Sequence, residues 1–323
     1  GHGVLVEDGE AHDRLRALMN PALHRSMLTS YVGAMLARTD QIMDAWPDGG
    51  RVDMLVEMRR IALLILVDTL FGADFTPELR RLWGSVLGVI RYISPGLWMI
   101  WRGAPRPGSG RAIRRMDAYL TRLIAARSAT MRGGEPTDLL GALIAAGLDD
   151  TLIRDQLLTM LIAGHDTSTA LLAWAAYLLG SHPDSLAQAR AEVDACLGDR
   201  PPTFEDVGQL AYLGSVIREA LRLYPPIHLG SRLAAADLCY DGYAIPAGTR
   251  VVYSIYLTQR HPGLWPDPHA FRPERFAGGE REAPYTWLAF GGGPRNCIGG
   301  ACGQVETKVN LARLLQRFDI AIV

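Results

Sequence analysis

The chain has 323 residues, 49% of them hydrophobic and 21% charged, which is enough apolar material for a sizeable core and too much for general disorder. A formal net charge of −1 excludes the basic excess that marks a nucleic-acid binder. Four cysteines, Cys196, Cys239, Cys297 and Cys302, are too few for a disulfide framework in a chain this long. Four residues separate Cys297 from Cys302, which matches no standard zinc spacing, and no His pair stands nearby.

Apolar periodicity predicts helices over most of the length. Glu10 to Asn20 carries Ala11, Leu15, Leu18 and Met19 on one face and ends before Pro21. Further helices are expected over 26–46, 53–71, 78–101 and 111–131. The helix over 78–101 is aromatic, with Trp83, Tyr92, Trp98 and Trp101, and a Pro/Gly loop, 103–110, follows it. The longest apolar stretch, 152–180, has about the length of a membrane span. Its centre, Gly164-His165-Asp166-Thr167-Ser168-Thr169, puts polar groups where a bilayer is driest. A long helix through the middle of a soluble protein is expected instead. Helices over 184–197 and 205–224 come next.

After Pro225-Pro226 the texture changes. Short extended runs, 231–238, 239–245 and 249–256, alternate with the turn residues Asp241-Gly242 and Pro246-Ala247-Gly248, which predicts a small β region. A proline-rich coil over 261–276 leads to the Gly-rich segment 290–300 and a last helix to about Arg317. No repeat or low-complexity linker divides the chain, so a single domain over 1–323 is expected: mainly α, with a minor sheet towards its C-terminal third.

The chemistry concentrates in Phe290-Gly291-Gly292-Gly293-Pro294-Arg295-Asn296-Cys297-Ile298-Gly299-Gly300. Glycines allow the backbone a tight turn and a close approach. Cys297 falls where a helix begins, and free N–H groups there favour a thiolate. Arg295 adds a positive charge two residues away. The Gly-Lys-Ser/Thr of a phosphate loop is missing. Such a cysteine suits a nucleophile or a metal ligand.

This segment resembles the haem-binding loop of the cytochrome P-450 family, F-x-x-G-x-R-x-C-x-G, with Phe290, Gly293, Arg295, Cys297 and Gly299 at its fixed positions. Three further motifs agree in order. Glu219-Ala220-Leu221-Arg222 resembles the family's E-x-x-R, whose charges stand at i and i+3 of a helix. Phe271-Arg272-Pro273-Glu274-Arg275-Phe276 is similar to its P-E-R-F segment. Ala163-Gly164-His165-Asp166-Thr167 is similar to its oxygen-binding A/G-G-x-D/E-T.

The resemblance implies an all-helical P-450-type domain with a small β region, haem b as cofactor, and Cys297 as the ligand of its iron. It implies a structural triad of Glu219, Arg222 and Arg275, and proton delivery by Asp166 and Thr167, with Ala163 and Gly164 at the oxygen site. His12 and Arg16 match the family's H-x-x-x-R; with Arg232 and Arg295 they would meet the haem propionates. The other histidines, His165 among them, are expected in surface or capping positions. Leu158, Ile162, Ile227 and Leu229 are candidate pocket residues, and their apolar character points to a lipophilic small-molecule substrate.

The implied activity is a monooxygenase that uses O2 and two electrons from a separate ferredoxin or flavoprotein reductase. Heavy Arg, Ala and Gly usage, with Lys308 the one lysine among 33 basic residues, suggests a GC-rich bacterial source. A cytoplasmic monomer is expected, and an upstream membrane anchor stays open. The chain departs from the pattern in three ways. No tryptophan stands near the start of the His12 helix. Gly300, Cys302 and Gly303 stand where larger or alanine residues are commoner, which predicts looser packing below the haem. The first helices, most of the main sheet and the final hairpin have no counterpart, so a fragment truncated at both ends is expected. A peroxygenase of the same family and a non-catalytic haem-binding remnant remain alternatives; a cysteine hydrolase lacks an assignable base.

Overall fold

A computed structural model describes residues 2–93, 109–131, 135–278 and 283–323. The expected helix residues beyond Ile93, with Trp98 and Trp101, the side chain of Tyr92 and the loop up to residue 108 lie outside the described residues. The helices are α1 (Gly9–Met19), α2 (Arg25–Met43), α3 (Met54–Phe71), α4 (Thr76–Ile93), α5 (Ser109–Thr130), α6 (Leu139–Ala145), α7 (Asp150–Ser181), α8 (Pro183–Leu197), α9 (Phe204–Gln209), α10 (Ala211–Leu223), α11 (Ile255–Thr258) and α12 (Gly300–Arg317). The strands are β1 (Leu229–Leu233), β2 (Leu238–Tyr240), β3 (Tyr243–Ile245) and β4 (Arg250–Ser254).

The core is built around α3 and α7, which form the most extensive helix pair among the described residues. The α3 sequence explains its place. Met58 and the run Ile61–Val67 are buried around the whole circumference, as expected of a helix enclosed by others. Each such large side chain contributes roughly 1.5–3 kcal/mol of burial. Asp53 caps its first turn by accepting from Val56 N at 3.2 Å. Gly72 ends it in the left-handed conformation, φ 58°. The 32-residue α7 begins at Asp149, whose carboxylate accepts from the N–H groups of Thr151 and Leu152, both at 3.0 Å. Helices α2, α10 and α12 pack around this pair.

Three elements differ from expectation. The span 205–224 is two helices, because Leu210 leaves helical geometry (ψ 70°). Thr203 and Asp206 cap the first of them reciprocally. Helix α6 was not expected; its seven residues carry too short a pattern to announce a helix, and Asp138 starts it by accepting from Gly141 N at 2.7 Å. The extended runs shorten into two separate antiparallel pairs, β1 with β4 and β2 with β3. Asp241-Gly242, with φ 48° and 81°, turns the second hairpin.

Residues 2–8 form a strap that positions the cysteine loop. Val4 N donates to Gln156 Oε1 of α7 at 2.8 Å, and Gln156 Nε2 donates to His2 O at 2.9 Å. On the other side, Arg295 donates to the carbonyls of Val4 and Glu7 and pairs with Asp8. The loop is thus tied through the strap to the central helix.

Candidate active site

The segment ahead of α12 is a closed loop. Gly291 and Gly293 adopt φ 69° and 68°, which side-chain-bearing residues rarely do. Cys297 N donates to Phe290 O at 2.8 Å, closing the turn, and Gly291 N donates to Leu288 O at 2.8 Å. A Cβ on Gly300 would lie 3.3 Å from the Phe290 ring, so the small residue serves a close contact and not the expected looseness.

Cys297 is exposed. Its thiol nevertheless stands in a concave setting, and desolvation by the surrounding protein raises its pKa; the Gly299 N–H and the Arg16 charge oppose this without cancelling it. Two sequence expectations change here. Helix α12 starts at Gly300, two residues later than expected, so its N-terminal field does not dominate the thiol. The cation acting on the sulfur is Arg16, whereas Arg295 is turned into the strap.

Three guanidiniums converge on this loop. Arg16 of α1 donates to Asn296 O at 2.7 Å and to Asn296 Oδ1 at 2.6 Å. Arg232 of β1 reaches Gly292 O at 3.5 Å and also donates to Ser231 O at 2.8 Å. Arg295 belongs to the loop itself. His12, one turn before Arg16, is buried (4% exposed) and pairs through Nδ1 with Asp13 at 2.8 Å. A lone thiol flanked by fixed positive charge suits a group combining a thiophilic metal with anionic side chains. The donor set therefore fits a haem: Cys297 would take the iron, and Arg16 and Arg232 flank the loop where propionates would lie, while Arg295 is committed to the strap and His12 to Asp13.

Burial along α7 marks out a second surface. Leu158, Thr159, Ile162, Ala163, Asp166, Thr167 and Ala170 are all half-buried, while Leu157, Leu161, His165, Ser168 and Leu172 are buried. The first set recurs at helical period and forms one stripe. The stripe continues through Ala170 and Trp174 into an open cleft of about 510 Å³, bordered by Tyr224, Pro225, Pro226, His228, Ser254 and Tyr256. Ile227 and Leu229 flank His228 and are 54% and 47% exposed.

Thr167 Oγ1 donates back to Ala163 O at 2.6 Å. Asp166 pairs with Arg59 of α3 at 3.3 Å. A Cβ on Gly164 would stand 2.6 Å from Leu66 Cδ1, so the missing side chain lets α3 approach. His165, expected at the surface, is fully buried; Nε2 bonds the Arg59 carbonyl at 3.0 Å, and desolvation lowers its pKa to about 4.

Below α10 lies a dense ionic cluster. Glu219 and Arg222 are both 0% exposed. Arg222 makes a two-pronged contact, Nε to Oε2 at 2.7 Å and Nη2 to Oε1 at 2.8 Å. Its remaining N–H groups reach the carbonyls of Gln259, Pro268 and Ala270 at 2.8, 2.8 and 3.1 Å. Arg275 Nε reaches Glu219 Oε1 at 3.2 Å, so the three expected charges are in contact.

Sequence reasoning missed Gln259. It is fully buried, donates through Nε2 to the carbonyls of Leu221 and Arg222 at 3.0 and 3.1 Å, and accepts from Leu288 N at 2.8 Å. This side chain connects the ionic cluster to the stem of the cysteine loop. A glutamine in a helix-like run carries no spacing signal that would have singled it out.

The cytochrome P450 family model matches residues 1–323, and the chain belongs to that family. It is a cytochrome P450 monooxygenase, an oxidoreductase of a class that works with haem. Among its relatives is a putative cytochrome P450 137 of Mycobacterium tuberculosis, 36% identical over 99% of this chain and 67% of the relative. Cyclooctat-9-en-7-ol 5-monooxygenase of Streptomyces melanosporofaciens is 32% identical over 99% of this chain and 73% of the relative. A solved structure, the retinoic acid-bound cyanobacterial CYP120A1, superposes with a TM-score of 0.89 at 29% identity, covering 100% of this chain and 75% of its own. Among the described residues no helix is long and apolar enough to cross a membrane.

Proposed function

We propose that this enzyme inserts one oxygen atom of O2 into a lipophilic small molecule, using haem b held by Cys297 and electrons from a separate carrier protein. The observation that carries this reading is the exposed Cys297 thiol in a loop contacted by Arg16 and Arg232 and strapped through Arg295. When bound, the haem supplies the oxygen activation, and the Cys297 sulfur donates electron density that favours O–O cleavage. Arg16 and Arg232 would hold the propionates, and Arg295 and His12 would join them on releasing the strap oxygens and Asp13. Phe290, Gly293 and Gly299 shape the loop that presents the sulfur.

The protein's further work is positioning and proton movement. Thr167 Oγ1 holds a proton on the half-buried stripe and hands it on when it rotates away from Ala163 O. Asp166 resupplies that proton after leaving the half-buried pairing with Arg59 and taking a proton from solvent. Leu158, Ile162 and Ala163 give the stripe an apolar surface, and Ile227 and Leu229 add to it beyond α10. That lining, with relatives named for cyclooctat-9-en-7-ol and bound to retinoic acid, supports a lipophilic substrate. The Glu219–Arg222–Arg275 cluster is structural. We assign residues 1–323 to part of a single domain and the enzyme as a cytoplasmic monomer, with an upstream membrane anchor left open.

The test is spectroscopic. The purified, haem-reconstituted protein, reduced under carbon monoxide, is expected to show the red-shifted Soret band of a thiolate-ligated haem, and Cys297→His to abolish it. Failure to bind haem, or an unchanged band in the variant, overturns the assignment. Turnover that requires reduced carrier and not peroxide alone separates the monooxygenase from a peroxygenase.

A further inference from the structure

A buried acid with no assigned task joins α12 to α7. Glu306 is 6% exposed, and its Oε2 accepts from Ser168 Oγ at 3.0 Å. Its Oε1 has no hydrogen-bond partner among the described residues. Burial raises its pKa to about 8, so it carries a proton at neutral pH. Among the described residues no cation pairs with it: towards α7 it meets the neutral Ser168, and it is electrostatically coupled to the half-buried Cys302 one turn earlier. A leucine would fill this space without desolvating an acid, so burial alone does not explain the residue.

The surroundings indicate a strut. Gly303, one turn before Glu306, faces Ser168; a Cβ there would lie 4.0 Å from Ser168 Oγ. On the other side, Asn310 Nδ2 donates to Glu306 O at 2.8 Å, and Thr39 Oγ1 of α2 donates to Asn310 Oδ1 at 2.6 Å. A buried polar line thus runs from α2 through α12 to α7. Ser168 immediately follows Thr167. Successive helical residues point about 100° apart, so Ser168 is turned into the core while Thr167 lies on the half-buried stripe. Pinning one fixes the rotation of the other.

We propose that Glu306 is a positioning residue for the oxygen chemistry: by holding Ser168 it sets the rotation of the Asp166–Thr167 turn of α7 against the helix that follows Cys297. The inference rests on the function proposed above, because the Asp166–Thr167 turn matters only if it delivers protons.

The experiment compares Glu306→Leu, Glu306→Gln and Ser168→Ala with wild type. Amide hydrogen exchange over residues 164–172 is read on haem-free and haem-loaded protein, and product formed per peroxide released is read in turnover. Glu306→Leu and Ser168→Ala are expected to speed exchange about tenfold or more and to lower coupling several-fold, with the carbon monoxide band kept. Glu306→Gln, which keeps an acceptor for Ser168, is expected to stay within about twofold of wild type on both. Wild-type exchange and coupling in Glu306→Leu and Ser168→Ala overturn the proposal, as does a glutamine variant that behaves like leucine. If leucine prevents folding, Ser168→Ala decides alone. A wild type without the thiolate band refutes the proposed function instead, and exchange in the haem-free protein still judges the strut.

Discussion

Replacing Gln259 with leucine tests whether the ionic cluster supports the cysteine loop. The change keeps the volume and removes three hydrogen bonds, two to the Leu221 and Arg222 carbonyls and one from Leu288 N. The site is fully buried, so water does not replace them. Two carbonyls and one N–H are left unsatisfied. At about 1–3 kcal/mol for each of the three groups, the expected loss is about 3–9 kcal/mol. The second consequence is local. Leu288 O accepts from Gly291 N, and the loop from Phe290 closes onto Cys297 N, so releasing Leu288 loosens the support of the sulfur. Urea unfolding followed by far-UV circular dichroism gives the stability. The reduced carbon monoxide spectrum gives the fraction of haem that retains the thiolate band. Gln259→Glu keeps an acceptor for Leu288 N and loses both donated bonds, so it is expected to lose stability but hold the band better than leucine. A loss below about 1 kcal/mol with an intact band in Gln259→Leu would refute the coupling.

Arg222→Lys keeps the charge but not the fork, and breaking a fully buried pair is expected to remove about 3–5 kcal/mol, seen as a lower thermal midpoint of the holoprotein; an unchanged midpoint contradicts a structural cluster. His165 has a folded pKa of about 4 against an ordinary 6.5, so the unfolded chain binds its proton first as the pH falls. Its contribution is full above pH 6.5 and lost towards pH 4, roughly 3 kcal/mol in all, and His165→Gln is expected to flatten that part of the stability–pH curve. Glu306 has the opposite sign: its folded pKa is raised to about 8, so wild type loses stability relative to Glu306→Gln as the pH rises from about 4.5 through 8. A stability gap that does not change with pH shows that the acid is not neutral in the folded protein. Gly72→Ala puts a side chain at φ 58° into the Arg127–Asp138 pair, and a cost of about 1–3 kcal/mol is expected in the same melts.

What could be read from sequence was what local geometry dictates. Glu219 and Arg222 meet because i and i+3 share a helix face, and Cys297 was found because glycines cluster around it. The contacts that hold those pieces in place join residues far apart in the chain. Gln259 reaches Leu288 across 29 positions, Ser168 reaches Glu306 across 138, and Arg16 reaches Asn296 across 280. No spacing rule foretells which distant polar side chain will be enclosed beside another. The same limit explains the two electrostatic revisions. Arg295 is near Cys297 in sequence, and a chain-local reading hands it the sulfur; packing gives Arg295 three oxygen partners in the strap and leaves Arg16, 281 positions away, as the charge that acts on the thiol. His165 lies between Gly164 and Asp166, and sequence offered no reason to bury it. Helix α3 supplies one, because the Gly164 gap that admits Leu66 also brings the Arg59 carbonyl within reach of the imidazole. The glycine, the histidine and the acid of one motif therefore all answer to α3: Leu66 fills the first, the Arg59 backbone bonds the second, and the Arg59 side chain pairs with the third. A substitution on α3 should consequently reach the Asp166–Thr167 turn without touching any motif residue.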